Sequence, residues 1–300
     1  MSVRFSLRQL EFFVAVADAG SISGGAERCG ASQAGVSLAV RDLERHLGVQ
    51  LLVRRRAKGA VLTEAGHGLL LDARRLLGGA DELQALASAS GGQISGTLSV
   101  GCYVTLAPFL IPPVLDEFAG RHPALDVQVT EGAADDMREA LLDGRCELAF
   151  LYDSDGDPEL STVPIRTSRP YLILAADHRL AGQESIALAE IADEPLIMFD
   201  VPSARNAAQM LAEAGLAPRL RHLSSNIEVV RCLVARGVGY SILVQRWPTD
   251  VSFEGLPIAS RPISDPTQER RAVLAWPART RLTRRAQALI DFCVSRDAGR

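Results

Sequence analysis

One face of the stretch "ASQAGVSLAVRDLERHLG", residues 31–48, carries small polar groups, a leucine and two arginines. Serine and glutamine can hydrogen-bond base edges, leucine can contact a thymine methyl group, and arginine can bind guanine or phosphate. This combination is typical of a surface that contacts DNA, and a solvated helix of an enzyme is the alternative interpretation. The side chains on this face are Ser32, Gln33, Ala34, Ser37, Leu38, Arg41 and Arg45.

A single amphipathic helix would hold these side chains together. At 100° per residue, an apolar stripe falls on the opposite side and predicts burial against a domain core. That stripe consists of Val36, Val40, Leu43 and Leu47. Ser32 is a suitable N-cap and Gly48 a suitable helix stop. A short helix from near Ser23 to Gly30 precedes it, and the tight turn between the two helices predicts a helix-turn-helix.

A basic turn follows this helix. The stretch "VQLLVRRRAKGAVLT" contains two short β-prone runs on either side of the turn. Such a hairpin predicts a wing whose side chains contact neighbouring phosphates. The basic residues of the turn are Arg54, Arg55, Arg56 and Lys58. Residues 1–90 hold 11 basic and 9 acidic residues, whereas the whole chain has a net charge of −4, so the basic character is local.

A long helical pattern runs from Thr63 to about Ser90. Apolar residues recur at alternating spacings of four and three, which favours pairing with a second helix. The alternative is a helix that packs on its own domain. The seam consists of Leu69, Ala73, Leu76, Ala80, Leu83 and Ala87. The stretch "SASGGQISG" at 88–96 has the composition of a flexible linker.

Strands alternate with helices from Thr97 onward, which predicts a mostly parallel sheet covered by helices. The strands predicted in the first half are "TLSVGCY", "LDVQVTE" and "CELAFLY", with helices from about 106 to 120 and from 134 to 143. The second half adds strands at "YLILAA", "LIMF" and "GYSIL", helices from about Ser203 and Asn226, then "RRAVLAW" and "LTRRAQALIDFCVS".

The remaining chemistry of the sequence argues against an enzyme. The five cysteines form no CxxC pair and lie in apolar stretches, so we expect buried thiols in a reducing cytoplasm. The five histidines are dispersed and lack metal-ligand spacing. No GxSxG, phosphate-loop or HExxH motif occurs. We therefore expect no catalytic residue, metal or cofactor, and no secretion signal or membrane span.

The whole chain resembles the LysR-type transcriptional regulators of bacteria. The resemblance rests on "LRQLEFFVAVADAGS", on a pattern that begins at Gly25 and runs through "SQ", "VS" and "VRDLERHLGVQL", and on "LTEAG" at 62–66. Later matching pieces are "APFLIPPVLDEFAGRHP", "EGAADDMREALLDGRCELAF", "ADHRLAG", "LAEIADEPLI" and "GVGYSIL".

The resemblance implies an α/β protein with an N-terminal winged helix-turn-helix, a long linker helix and a C-terminal two-subdomain effector-binding domain similar to periplasmic binding proteins. The expected limits are 1–65 for the DNA-binding domain, 66–93 for the linker helix and hinge, and 94–300 for the effector-binding domain. Subdomain I would hold 94–166 and 269–300, and subdomain II would hold 167–268.

The resemblance also assigns DNA contacts by position. They fall on Ser32, Gln33, Ser37, Leu38 and Arg41 of the third helix, and on the four basic residues of the wing. Two departures matter. Leu38 stands where the family often has arginine or glutamine, and Gly24 stands where a basic residue is common. We therefore expect more reliance on wing phosphates and methyl contacts than in the relatives.

The effector site is expected beyond the carboxyl ends of the strands, where helix N-termini favour anions. The candidate residues are Tyr103, Val104, Thr105, Ala134, Tyr152, Phe199, Pro202, Ser203, Asn226 and Tyr240. By resemblance, Thr105 stands where a hydroxyl residue commonly holds the effector, whereas Ala134 lacks one. Aromatic neighbours make the expected cleft apolar, which favours an aromatic or branched organic acid. An effector of other chemistry, or none, stays open.

The expected partners are double-stranded promoter DNA, a small effector such as a carboxylate, and further copies of the chain, as a dimer through the linker helix or a tetramer. RNA polymerase is a further candidate partner. The alternatives are a ligand-independent regulator, an α/β enzyme, and a solute-binding protein. The last would lack residues 1–65 and carry a secretion signal.

Overall fold

A computed structural model describes residues 4–55, 59–88, 93–153, 157–200 and 205–297 of the chain. Inside helices and strands, the backbone alone is described at 54–55, 85–88, 205–207 and 297. Of the residues predicted to bind, Arg56, Lys58, Pro202 and Ser203 lie outside the described part.

The N-terminal unit is a three-helix unit followed by a hairpin. Its elements are α1 (Leu7–Ala19), α2 (Ile22–Arg28), α3 (Gln33–Leu47), β1 (Leu52–Arg55) and β2 (Gly59–Leu62). A capping box between Ser6 and Gln9 begins α1, and Gly20, at φ 62°, ends it. β1 and β2 pair antiparallel from Leu52↔Leu62 to Arg55↔Gly59. The predicted winged helix-turn-helix is confirmed.

The apolar stripe of α3 fixes that helix in the core of this unit. Val36, Val40 and Leu43 are fully or almost fully buried, and they pack in one cluster with Phe13 of α1. Leu47 is only half-buried at the edge of the same cluster. Since the stripe points inward, the opposite face of α3 points to solvent.

A 25-residue helix, α4 (Glu64–Ser88), follows the hairpin. Its first turn packs tightly, because a Cβ at Gly66 would lie 2.2 Å from the carbonyl oxygen of Leu51. Further along, Arg74 donates hydrogen bonds to the carboxylate of Asp18 in α1 and to the backbone oxygen of Asp143. Arg285 bridges Asp81 of α4, at 2.8 Å, and Glu147, at 2.9 Å. α4 therefore contacts both the N-terminal unit and the chain beyond it.

The first part of the C-terminal region is a five-stranded sheet in the order β4-β3-β5-β12-β6. Its strands are β3 (Gly96–Tyr103), β4 (Leu125–Gly132), β5 (Leu148–Tyr152), β6 (Leu160–Ser168) and β12 (Arg270–Pro277). Its helices are α5 (Ala107–Pro113), α6 (Ala119–Arg121), α7 (Ala134–Leu142) and α11 (Arg284–Asp297). A π-helical segment, Val114–Phe118, joins α5 to α6.

The second part holds two smaller sheets, β10-β7-β11 and β8-β9. Its strands are β7 (Tyr171–Ala175), β8 (Pro195–Phe199), β9 (Arg219–Ser224), β10 (Ser241–Leu243) and β11 (Ile258–Pro262). Its helices are α8 (Leu188–Ile191), α9 (Arg205–Glu213) and α10 (Ile227–Ala235). The chain passes between the two parts along β6 and β12.

The prediction of a mostly parallel sheet is wrong, because several of the strand pairs are antiparallel. β3 is parallel to β4 and β5, but β12 runs antiparallel to both β5 and β6, and both partners of β7 are antiparallel to it. Sequence patterns also missed β6, β9 and β11. Half-exposed β6 contains Pro164, and β9 is almost wholly exposed, so neither shows a strong apolar run.

Candidate functional site

The outer face of α3 is an exposed, continuous surface. Gln33, Leu38 and Arg41 are exposed, and Leu38 keeps 54% of its surface accessible to solvent. Ser32 is the N-cap, and its Oγ accepts a hydrogen bond from the backbone N–H of Gly35 at 3.1 Å. Ser37 is half-buried on the same side. This surface presents donors, acceptors and an aliphatic group within about two helical turns.

The two arginines of this face differ in their partners. Arg41 Nε donates to the backbone oxygen of Ser37 one turn earlier, at 3.2 Å, and forms no ion pair with the described residues. Arg45 is paired with the carboxylate of Asp42. Arg41 therefore retains its unneutralised charge on the outer face, while the charge of Arg45 is already compensated.

The hairpin β1–β2 lies next to the helix-turn-helix. Gly59, at φ 73°, begins β2, and a Cβ there would lie 2.2 Å from the backbone oxygen of Gly20. Ala60 donates to the same oxygen at 2.8 Å. The backbone of Arg54 and Arg55 belongs to β1. The base of the wing is therefore fixed to the end of α1.

The seam predicted along α4 divides into two parts. Ala73 is buried and Leu69 half-buried against the core of the N-terminal unit, as the alternative interpretation required. Further along, Leu76 and Leu83 are 54% and 69% exposed. The second part of the seam therefore has apolar side chains with no cover inside the monomer.

A cavity of about 350 Å³ lies between the two parts of the C-terminal region. It opens where β3, β5, β8 and β10 end, the position at which α/β sheets bind ligands. Its lining from the first part and from β12 comprises Val104, Thr105, Pro108, Phe109, Glu131, Tyr152 and Arg270. The lining from the second part comprises Pro170, Phe199, Met210, Ser225, Asn226, Ile227, Ile242, Leu243, Val244, Gln245 and Trp247.

A few polar groups interrupt this apolar lining. Thr105 Oγ1 is buried and forms no hydrogen bond of normal geometry with the described residues, although it lies near the Tyr152 hydroxyl. Half-buried Arg270 has no ion pair or side-chain hydrogen bond among them either. Asn226 caps α10, its Oδ1 accepting from the N–H of Glu228 at 2.9 Å. Glu131 is exposed, so solvent screens its charge.

The two parts of the C-terminal region touch across the cavity. Gln245 donates to the Tyr152 hydroxyl at 3.1 Å, and the rings of Phe109 and Trp247 meet edge to face with centroids 5.3 Å apart. Burial raises the pKa of Tyr152, and the hydrogen bond from Gln245 offsets part of that rise. The phenol is therefore neutral near pH 7 and can donate as well as accept hydrogen bonds.

The structure brings five of the ten predicted effector residues to the cavity, namely Val104, Thr105, Tyr152, Phe199 and Asn226. Three others do not line it, and Pro202 and Ser203 are outside the described part. Tyr103 is buried under Tyr152, with ring centroids 5.9 Å apart. Ala134 packs against the core of the first part. Tyr240 is fully buried in the core of the second part, with β8 beside it.

Sequence reasoning missed most of the wall that the second part contributes. The pattern at "GYSIL" predicts a strand, but it does not indicate that the residues after this strand, as far as Trp247, line the cavity. Arg270 begins β12, whose antiparallel direction brings its first residue, not its last, to the cavity.

The described residues contain no candidate metal site, and their cysteines are free thiols. They contain no group of three or more histidine, cysteine or acidic residues able to hold a metal ion. None of the helices in this part of the chain has the length and apolar composition of a membrane span. All five cysteines are described and free. Burial raises the pKa of Cys146 to about 11 and that of Cys293 to about 12, and it raises that of Cys102 still further.

Comparison with known proteins matches both units. Residues 7–67 match the bacterial regulatory helix-turn-helix protein model of the lysR family, and residues 91–298 match the LysR substrate binding domain. The hydrogen peroxide-inducible genes activator of Pectobacterium carotovorum is 28% identical over 289 residues, covering 95% of each chain.

Solved structures extend the likeness over the full length. The crystal structure of HinK, a LysR family transcriptional regulator from Pseudomonas aeruginosa, is 32% identical, with a TM-score of 0.65 over 97% of this chain and 98% of that one. Full-length CbnR complexed with its target DNA is 27% identical, with a TM-score of 0.56 over 98% of this chain and all of that one. These relatives are regulators rather than enzymes.

Proposed function

Since this chain belongs to the LysR family of bacterial regulators and is a DNA-binding transcriptional regulator with an effector-binding domain, we propose which of its residues contact DNA and which class of effector it binds. α3 enters the major groove, with Gln33, Leu38 and Arg41 towards the base edges and Ser32 and Ser37 beside them. The wing follows the neighbouring phosphates. The exposed outer face of α3 is the observation that carries this proposal.

Arg41 provides the test of the DNA contact. An arginine that binds guanine or phosphate contributes about 1–3 kcal/mol, so Arg41→Ala should weaken operator binding by about that amount. Arg236→Ala is the control, since Arg236 is also an exposed arginine but lies at the end of α10, in the C-terminal region. Footprinting upstream of the gene itself supplies the operator, and gel shifts at one fixed salt concentration give the affinities. Equal affinities for Arg41→Ala and the unmodified protein would contradict the contact.

The cavity supports a small organic acid with an aromatic or branched apolar body as the effector. Its apolar walls match such a body, and its volume of about 350 Å³ lies in the range of small-ligand sites. The buried Thr105 hydroxyl, the unpaired Arg270 and the N-terminus of α10 can receive a carboxylate. Burying a carboxylate requires such partners, and the cavity offers three kinds.

Matched pairs of acids and amides test the effector class. We expect phenylacetate and isovalerate to raise the melting temperature, and phenylacetamide and isovaleramide, which keep the shape and lose the charge, to do so much less. Arg270→Gln should reduce the difference within each pair. No binding by either acid, in calorimetry at millimolar concentration, would reject this effector class and favour regulation without a ligand of this kind.

Dimerisation through α4 is the third element of the proposal. Leu76 and Leu83 lie seven residues apart, so they share one face of the helix and can pair with the same residues of a second copy. A dimer would present two copies of α3 to two half-sites of a promoter. Tetramer formation and contact with RNA polymerase are further proposals that rest on this dimer.

A further inference from the structure

An ion pair shielded from solvent lies directly behind the cavity wall. Arg231 Nε and Glu228 Oε2 are 2.9 Å apart on α10, with 2% and 9% of the two side chains exposed. Neither residue lines the cavity. Taking two charges out of water is costly, and apolar residues of similar size often give equal or greater stability. Stability alone therefore does not explain this pair.

Arg231 holds the segment that forms one wall of the cavity. Its guanidinium lies over the indole ring of Trp247, 4.5 Å from the ring centroid. Its Nη2 donates to the backbone oxygens of Thr249, at 3.1 Å, and Val251, at 2.6 Å. Glu228 Oε1 accepts from the backbone N–H of Phe253 at 2.5 Å. The ion pair thus binds the chain on the far side of Trp247 at three backbone atoms.

Trp247 in turn faces the cavity and the first part of the C-terminal region. It lines the cavity, and its ring meets Phe109 of α5 edge to face. One aromatic ring therefore contacts the cavity, a buried cation and the opposite side of the cleft. An aromatic side chain held in one orientation before binding loses little rotamer freedom when a ligand stacks against it.

We infer that Arg231 is a positioning residue that fixes Trp247 as the wall against which an aromatic effector packs, and that this wall selects aromatic over aliphatic acids. The inference rests on the proposed function, since it concerns the same cavity. Arg231 acts without contact to the effector. It holds the indole through its cation over the ring and through the backbone of the segment that follows.

Binding of phenylacetate and isovalerate by calorimetry tests the selection. Arg231→Met removes the cation and the hydrogen bonds while keeping an apolar chain of similar length. It should weaken the binding of phenylacetate about tenfold and the binding of isovalerate about twofold or less. Trp247→Leu should weaken phenylacetate binding more than isovalerate binding in the same way. The double variant Arg231→Met/Trp247→Leu should bind phenylacetate only slightly more weakly than Trp247→Leu alone. Val229→Ala, an exposed change on the same helix, should change neither affinity. Additive losses, or equal losses for both acids, would overturn the inference.

Arg231→Lys keeps the test decisive if the methionine variant does not fold. Lysine retains the cation but cannot form the three hydrogen bonds of the planar guanidinium. A Trp276→Phe background leaves Trp247 as the single tryptophan. In this background and without any ligand, we expect acrylamide to quench the Trp247 fluorescence of the lysine variant at least twice as strongly as that of the parent. Unchanged quenching would overturn the positioning role. Failure of the wild-type protein to bind either acid would reject the effector class alone, because the quenching measurement needs no effector.

Discussion

Leu38→Ala should weaken operator binding without changing the stability of the free protein. Burying a whole leucine side chain contributes about 1.5–3 kcal/mol. Leu38 has 54% of its surface left to bury, so complete coverage by DNA would contribute about 0.8–1.6 kcal/mol on the same scale. At about 1.4 kcal/mol per tenfold, the affinity should fall about 4- to 14-fold. Alanine favours the helix at least as well as leucine, so the fold should be unaffected.

Fluorescence anisotropy with a labelled operator fragment measures this loss, and its salt dependence identifies the cause. A contact with a thymine methyl group releases no counterions, so the slope of log affinity against log salt should be the same for Leu38→Ala and the parent. Val49→Ala is the control, since Val49 is also exposed but follows the end of α3. Unchanged affinity would remove Leu38 from the interface. A shallower salt slope would show that the substitution disturbs phosphate contacts instead, and the reasoning from apolar area would fail.

Three further predictions concern the wing, the linker helix and the thiols. Gly59→Ala should lower the free energy of unfolding by about 1–3 kcal/mol, because φ at Gly59 is positive and the new Cβ would meet the backbone of Gly20. Chemical denaturation measures this free energy. Gly68→Ala is the control, since a Cβ at Gly68 would lie in open space. Leu83→Glu should dissociate the proposed dimer in analytical ultracentrifugation while the monomer stays folded; an unchanged sedimentation coefficient would place the interface elsewhere. Millimolar hydrogen peroxide should leave Cys102, Cys146 and Cys293 unoxidised, because oxidation needs a thiolate and burial raises the pKa of these three thiols; sulfenic acid or a disulfide at any of them in peptide mass spectrometry would contradict this.

The sequence was most informative where one periodic pattern determined one element. Three residues of the stripe on α3, Val36, Val40 and Leu43, are buried as predicted, and Gly20 and Gly48 end their helices in the left-handed conformation. These features depend on neighbours in the chain, so a local pattern contains the information. The same holds for the N-cap at Ser32.

The cavity was only partly predictable because its walls come from distant segments. Thr105 and Asn226 could be placed from the ends of strands and helices, but Trp247 and Arg270 could not. Arg270 reaches the cavity only because β12 runs antiparallel to β5, and no local pattern indicates that direction. Tyr240 is the converse case, since it stands beside a predicted strand end but points into a core that only the tertiary structure defines.

Arg74 fixes how α4 is rotated about its own axis relative to the N-terminal unit and to the C-terminal region. Its almost buried guanidinium is shared between a side chain of α1 and the backbone that ends α7. Turning α4 about its own axis by one residue, about 100°, would carry Arg74 away from both acceptors at once. A rotation of the C-terminal region about α4 would therefore have to break the contacts of Arg74 or carry α1 with it.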